Sequence, residues 1–332
     1  MPRQARLDAT GALNHVIIRG IAGTSIFLDN TDRIDFTHRL SVLIPETRTR
    51  CYAWALLSNH AHLLLRTGDV PLATFMARLL TGYAGSFNRR HNRSGRLFQN
   101  RYRSIICQEE PYLRELVRYI HLNPLRAGIL AEYHDLGLFP WSGHAAILGN
   151  RKITWQDTGY ILGLFGPTQN KARISYDKFI ELGIDQGHRP ELVTGGWTRT
   201  AGGWLEDGRS FPKGLPQDDR RIMGNESFVR DLLARAEEKM NRRYELTQSG
   251  LDITSLEKRI CEIYEISPAD IYMRRKYKKI VDARSVFCFF AVTELGVSLK
   301  ALAERFEVSS PAIVLAVKRG RVIAEIKDLK LF

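Results

Sequence analysis

Cysteine is scarce in this chain: Cys51, Cys107, Cys261 and Cys288 are the only four in 332 residues. None pairs as CxxC and their spacing makes no disulfide framework, which excludes a stapled scaffold and leaves buried thiols in a reducing cytoplasm as the expectation. Long apolar runs are missing as well. No stretch reaches the length of a membrane span, and the N-terminal MPRQARLDATG lacks the apolar core of a signal peptide, so no membrane partner is expected. No low-complexity tract stands out. At this length the chain has room for two domains, each with its own core.

Negative charge is also in short supply. Lys and Arg total 49 against 36 Asp and Glu, a formal net charge of +13. Such an excess favours a polyanionic partner, most simply nucleic acid. The cations cluster. Arg89, Arg90, His91, Arg93, Arg96, Arg101 and Arg103 are interleaved with Phe87, Phe98 and Tyr102, the pattern of a nucleic-acid contact surface rather than of evenly solvated charge. A second group holds Arg274, Arg275, Lys276, Lys278, Lys279 and Arg284, and a third Lys318, Arg319 and Arg321.

Periodicity divides the chain unevenly. Ala12–Gly20, Cys51–Leu57 and His60–Thr67 read as strands, and Leu97–Cys107 as a fourth. Asp29 and Asn30 announce a helix with Phe36, Leu40 and Leu43 on one face. Asp69 is expected to cap a second, whose Leu72, Phe75, Met76, Leu79, Leu80 and Tyr83 make an amphipathic stripe. A third begins near Glu109–Pro111 and ends near Asn123–Pro124. The order strand, helix, strand, strand, helix, strand, helix predicts an α+β layer with a mainly antiparallel sheet. Residues 146–225, rich in Gly, Pro and Trp, read as a connector of unassigned role. Residues 226–332 read as all-helical. There Thr254 with Glu257 suggests a capping box, and Ser267–Pro268 and Ser310–Pro311 suggest helix starts. Ser298–Phe306 followed by PAIVLAVKRG has helix-turn-helix spacing; such pairs occur in any helical domain, and the basic clusters beside this one favour DNA.

Two features carry chemistry. His60 and His62 lie two apart in the apolar LLSNHAHLLLRT, so in a strand both imidazoles leave the same face, able to grip one metal ion. On EEPYLRELVRYIHLNPLRAG, Leu113, Leu116, Val117 and Ile120 form the buried face. Tyr112, Tyr119 and Asn123 share one flank, and His121 points almost opposite to Tyr119. A tyrosine there serves either as a packing residue or as a nucleophile able to attack a phosphodiester and store its bond as phosphotyrosine. The second role needs a cation at the phosphate. Two imidazoles with the Asn123 amide oxygen would suit Mg²⁺ or Mn²⁺.

The pair His60-Ala61-His62 followed by YIHLNPLRAG (Tyr119–Gly128) strongly resembles the single-tyrosine HUH transposases, and within them the REP-associated tyrosine transposases. NHVIIRG, SNHAHLLL and GRLFQNRYRS resemble the same family, in the same order, over roughly residues 1–145. The resemblance implies a ferredoxin-like antiparallel sheet and a bacterial, cytoplasmic enzyme that nicks and rejoins single-stranded or hairpin DNA. It implies Tyr119 as the nucleophile that becomes linked to a 5′ phosphate, His60 and His62 as ligands of a divalent metal, and Asn123 as a third ligand. The tail, with KIVDAR (Lys279–Arg284) and the helix pair after it, resembles the helical DNA-binding domain of the bacterial replication initiator. Its second helix, beginning PAIVLAV, lacks polar base-reading side chains, so phosphate contact is expected there rather than sequence readout. A domesticated DNA-binding protein without catalysis is the alternative. Monomer and homodimer remain equally open.

Overall fold

Val16 and Ile18 alternate with His15 and Ile17, so strand β1 (Leu13–Arg19) buries side chains on both faces, as a central strand does. The computed structural model describes residues 9, 11–187, 189, 192, 221–234, 252–273 and 277–329. It divides into two compact units, Met1–Leu233 and Ala234–Phe332.

In the first unit β1 is the middle of a five-stranded sheet ordered β2-β3-β1-β4-β5, with β2 Arg50–Leu56, β3 His60–Arg66, β4 Arg103–Cys107 and β5 Ile222–Met223. The first four strands pair antiparallel, as expected. β5 pairs parallel to β4, which makes the sheet mixed. Two residues are too few to show a period, so β5 had no signature in the sequence.

One face of the sheet packs against helices α1 (Asn30–Thr47) and α2 (Leu72–Arg90). Val16, Ile18, Leu63 and Leu65 meet Phe36, Leu40, Phe75, Met76 and Leu79 there. The other face is covered by α3 (Glu109–Arg126), whose Leu113, Leu116, Val117 and Ile120 are buried as the periodicity predicts, against Ile17, Leu64 and Ile105. Short helices α4 (Tyr133–Leu136), α5 (His144–Leu148), α6 (Thr158–Gly163) and α7 (Gln169–Glu181) extend that core. Ile161, Leu162, Ala172, Tyr176 and Ile180, all within the stretch read as a connector, are buried in it.

Local readings also shift. Leu97–Tyr102 is not strand. Leu97 and Tyr102 are buried on the α2 side while Phe98 makes an isolated bridge to Gly20, because consecutive apolar residues and the polar Gln99–Arg101 break the period-2 alternation. Asp69 does not cap α2. It pairs with Arg48 at 3.5 Å, and Pro71 holds the cap position. α3 runs through Pro124 to Arg126, with Ala127 N–H closing on Asn123 O.

In the second unit, helices Ile253–Ile263, Pro268–Tyr272, Lys278–Thr293, Leu299–Arg305 and Ser310–Ile326 enclose Leu256, Ile260, Val286, Phe287, Leu302 and Ile313. The first is capped by Asp252 with Ser255, not by Thr254 with Glu257. Ser267 with Asp270 completes the second box. The last helix crosses Lys278–Thr293 at Gly320, where an added Cβ would fall 1.9 Å from the Ser285 carbonyl oxygen. Among the described residues no helix is long and apolar enough to cross a membrane.

Candidate active site

The register of the sheet builds the site. Arg19 is paired with His60 and Ile17 with His62, and directly paired residues share a face, so Arg19, Ile17 and His15 stand on the face that carries both histidines. Arg103 of β4 is paired with Ile17 and joins them. That is the face covered by α3, and the helix lays Tyr119 against the histidines. The Tyr119 ring lies 5.8 Å from the His62 ring and 6.0 Å from the His15 ring, both edge-on, and the His60 and His62 rings lie 5.1 Å apart. Tyr119 is 5% exposed and His62 1%, whereas His60 is half-buried and Arg19 and Arg103 are exposed at the rim. The Arg126 guanidinium sits 5.5 Å from the centre of the Tyr119 ring.

Burial is the first cause of a shared electrostatic state. It holds His60 at about 4, with the Arg19 charge acting in the same direction. His62 is driven well below the ordinary histidine range by burial and by its neighbours His15, His60 and Arg19. His15 sits at about 4, again mainly through burial, although its bond to the Leu192 carbonyl opposes the shift. All three are therefore neutral at pH 7, the state in which a ring nitrogen offers a lone pair.

Whether this donor set suits a metal can be tested atom by atom. His60 Nδ1 lies 2.7 Å from Asn59 Oδ1, an acceptor, so the proton sits on Nδ1 and the lone pair on Nε2. His62 Nδ1 is engaged with His15 Nε2 at 2.9 Å, which also leaves Nε2 as the outward nitrogen. Among the described residues no three His, Cys, Asp or Glu side chains are grouped to hold a metal ion. Asn123, one turn after Tyr119, offers an amide oxygen. Its Nδ2 donates to the Tyr119 carbonyl at 2.8 Å, which turns the amide so that Oδ1 is the end left for another partner. Two imidazole nitrogens and an amide oxygen suit Mg²⁺ or Mn²⁺.

The structure thus brings together His60, His62 and Tyr119, and sets Asn123 one turn after Tyr119 on the same helix. His121 faces away, into a buried cluster where the Tyr176 hydroxyl lies 2.7 Å from its Nδ1 and 2.9 Å from His144 Nδ1. Sequence reasoning missed His15 and Arg19. Their signal was the strand parity of NHVIIRG, in which both share a face with Ile17, but the pairing to β3 that gives this meaning is a tertiary fact.

The basic cluster is divided. Arg89, Arg93, Arg96, Arg101 and Arg103 are exposed, with Arg93 lying 5.6 Å over the Phe87 ring. Arg90 is engaged instead: it pairs with Asp29 and, at 2.6 Å, with Asp32, which is 2% exposed and also bonded to His91. It fastens the end of α2 to the start of α1. Arg319 is exposed and Lys318 half-buried on the last helix. Arg274, Arg275 and Lys276 lie outside the described residues.

Residues 10–123 match the model of the IS200-like transposase family. Over these residues the chain is similar to that family. The matched segment ends at Asn123, so it contains all four residues singled out above. Among solved structures, a REP-associated tyrosine transposase bound to a REP hairpin is similar with a TM-score of 0.38 and 15% identity, over 47% of this chain and 98% of that one. No curated protein matches the chain.

Proposed function

We propose that the protein is a transposase-type enzyme that cuts and rejoins single-stranded or hairpin DNA through a covalent tyrosine intermediate. The observation that carries this reading is the packing of Tyr119 edge-on against His62, on the sheet face that also holds His60, within the segment that matches the IS200-like transposase family.

In the reaction, the Tyr119 phenol oxygen attacks a phosphorus of the DNA backbone. The phenol proton is lost as the Oη–P bond forms, and the P–O3′ bond breaks. The released strand takes a proton on its 3′ oxygen, and the 5′ phosphate stays on Tyr119. Attack by a 3′ hydroxyl reverses these bonds and joins strands. His60 and His62, through Nε2, with Asn123 through Oδ1, would hold Mg²⁺ or Mn²⁺, which would withdraw charge from the phosphate oxygens. Arg19 and Arg103 at the rim supply positive charge where the backbone enters, and the exposed arginines of 89–103 extend it. α3 holds Tyr119 through the four apolar residues under it, so the nucleophile is positioned before the substrate arrives.

The test is a hairpin DNA labelled at its 3′ end, incubated with the protein and Mn²⁺ and run on a denaturing gel. A labelled band shifted to the mass of protein plus DNA is expected, and Tyr119→Phe should lose it while still binding the hairpin. Retained cleavage by Tyr119→Phe overturns the assignment. DNA binding with no adduct in the wild type would instead favour the domesticated binding protein.

A further inference from the structure

His15 is fully buried beside the site, on a strand facing both α3 and β3, and its two ring nitrogens are committed in a definite order. Its Nδ1 lies 3.0 Å from the Leu192 carbonyl oxygen, which only accepts, so Nδ1 carries the proton. A neutral His15 then presents a lone pair at Nε2. His62 Nδ1, 2.9 Å away, must be the donor to it, and the lone pair of His62 falls on Nε2. Without this bond the His62 ring has no hydrogen bond among the described residues to select one tautomer over the other, and a proton on Nε2 would block ligation.

We propose that His15 is a positioning residue: by accepting the Nδ1 proton of His62 it holds that imidazole in the orientation and tautomer that bind a divalent cation through Nε2. The inference rests on the metal-binding reading of His62 given above. Leu192, which sets the direction of the chain of bonds, lies outside the segment 10–123 that matches the transposase family. The orienting carbonyl therefore comes from a part of the first unit that the family model does not cover. Histidine ligands elsewhere are commonly held by an acceptor on their second nitrogen, and here another histidine fills that place.

The experiment uses the full-length protein in three parts. Long-range ¹H–¹⁵N NMR of the metal-free protein is expected to find the His62 proton on Nδ1. Mn²⁺ titration followed by EPR is expected to give roughly a 10–100-fold weaker affinity for His15→Phe, which keeps the ring but not the acceptor. His15→Gln, whose amide can accept from His62 and donate to Leu192, should restore most of the affinity, which mere filling of space would not. A His62 proton on Nε2 in the wild type overturns the proposal, and this reading stands even if His15→Phe does not fold. Unchanged affinity in His15→Phe, with His62→Ala strongly weakened, overturns the proposal alone. Unchanged affinity in His62→Ala removes the metal reading and this inference with it.

Discussion

At the scale of single residues, the side chains that matter differ in how they are tied down. Asn123 is fixed by one bond, from its Nδ2 to the Tyr119 carbonyl. Asn123→Ala removes that bond and the amide oxygen together. It should weaken Mn²⁺ binding by about tenfold or more and slow adduct formation in parallel, with DNA affinity in the absence of metal unchanged. Asn123→Asp, which keeps an oxygen and adds charge, should retain binding. Arg90 and Arg101 make the opposite comparison. Arg101→Ala should weaken DNA binding and lower the slope of log K against log salt by about one, as loss of a phosphate contact does. Arg90→Ala should leave the slope unchanged and lower the melting temperature, because it strips the buried Asp32 of a cation. The two arginines read alike in sequence, since density of charge does not tell a phosphate contact from a partner of Asp29 and Asp32. The placement of His60 and His62 on one strand face, and of Tyr119 and Asn123 a turn apart on one helix, was legible because strand parity and helical spacing are local. His15 was not: its contacts are with residues 47 and 177 positions away.

Elements were legible where they are long and two-sided. The stripe of α3 fixed which face meets the sheet, and with it the flank that carries Tyr119. Leu116 is fully buried in that stripe one turn before Ile120. Leu116→Ala should cost about 2–5 kcal/mol in urea unfolding. It should also slow adduct formation, since the helix that carries Tyr119 loses its seat. The same logic applies in the second unit to the crossing at Gly320, where no side chain fits above the Ser285 carbonyl. Gly320→Ala gains helix propensity but forces the two helices apart, and about 1–3 kcal/mol of destabilisation is expected, read as faster amide exchange along Lys278–Thr293. Elements that failed to show in the sequence are short or one-sided. β5 is two residues long, and α7 buries only Ala172, Tyr176 and Ile180 fully while its Ile174 is exposed, which blurs the stripe.

At the scale of the first unit, burial of neutral imidazoles makes stability depend on pH. His121 and His144 share the Tyr176 hydroxyl within the core that joins α3 to α5 and α7. Burial holds His144 at about 4 and drives His121 well below its usual range, with no carboxylate close enough to offset it: Asp177 lies 3.9 Å from His144 and raises it only in part. Both groups therefore bind fewer protons folded than unfolded between pH 6.5 and about 4. Stability rises with pH wherever the unfolded chain holds more protons, so it is highest above pH 6.5 and declines as the pH falls through that window. For His144 alone the loss from pH 7 to pH 5 is on the order of 2 kcal/mol. The urea midpoint measured at pH 7, 6 and 5 should fall at each step, with the slope of the transition unchanged. A His144→Gln variant, which cannot take the proton, should be less stable than the wild type at pH 7 and show a shallower fall toward pH 5. A midpoint flat from pH 7 to pH 5 would mean that these imidazoles are charged or solvated in the folded protein, and that α3 is not anchored on its far side by a neutral network.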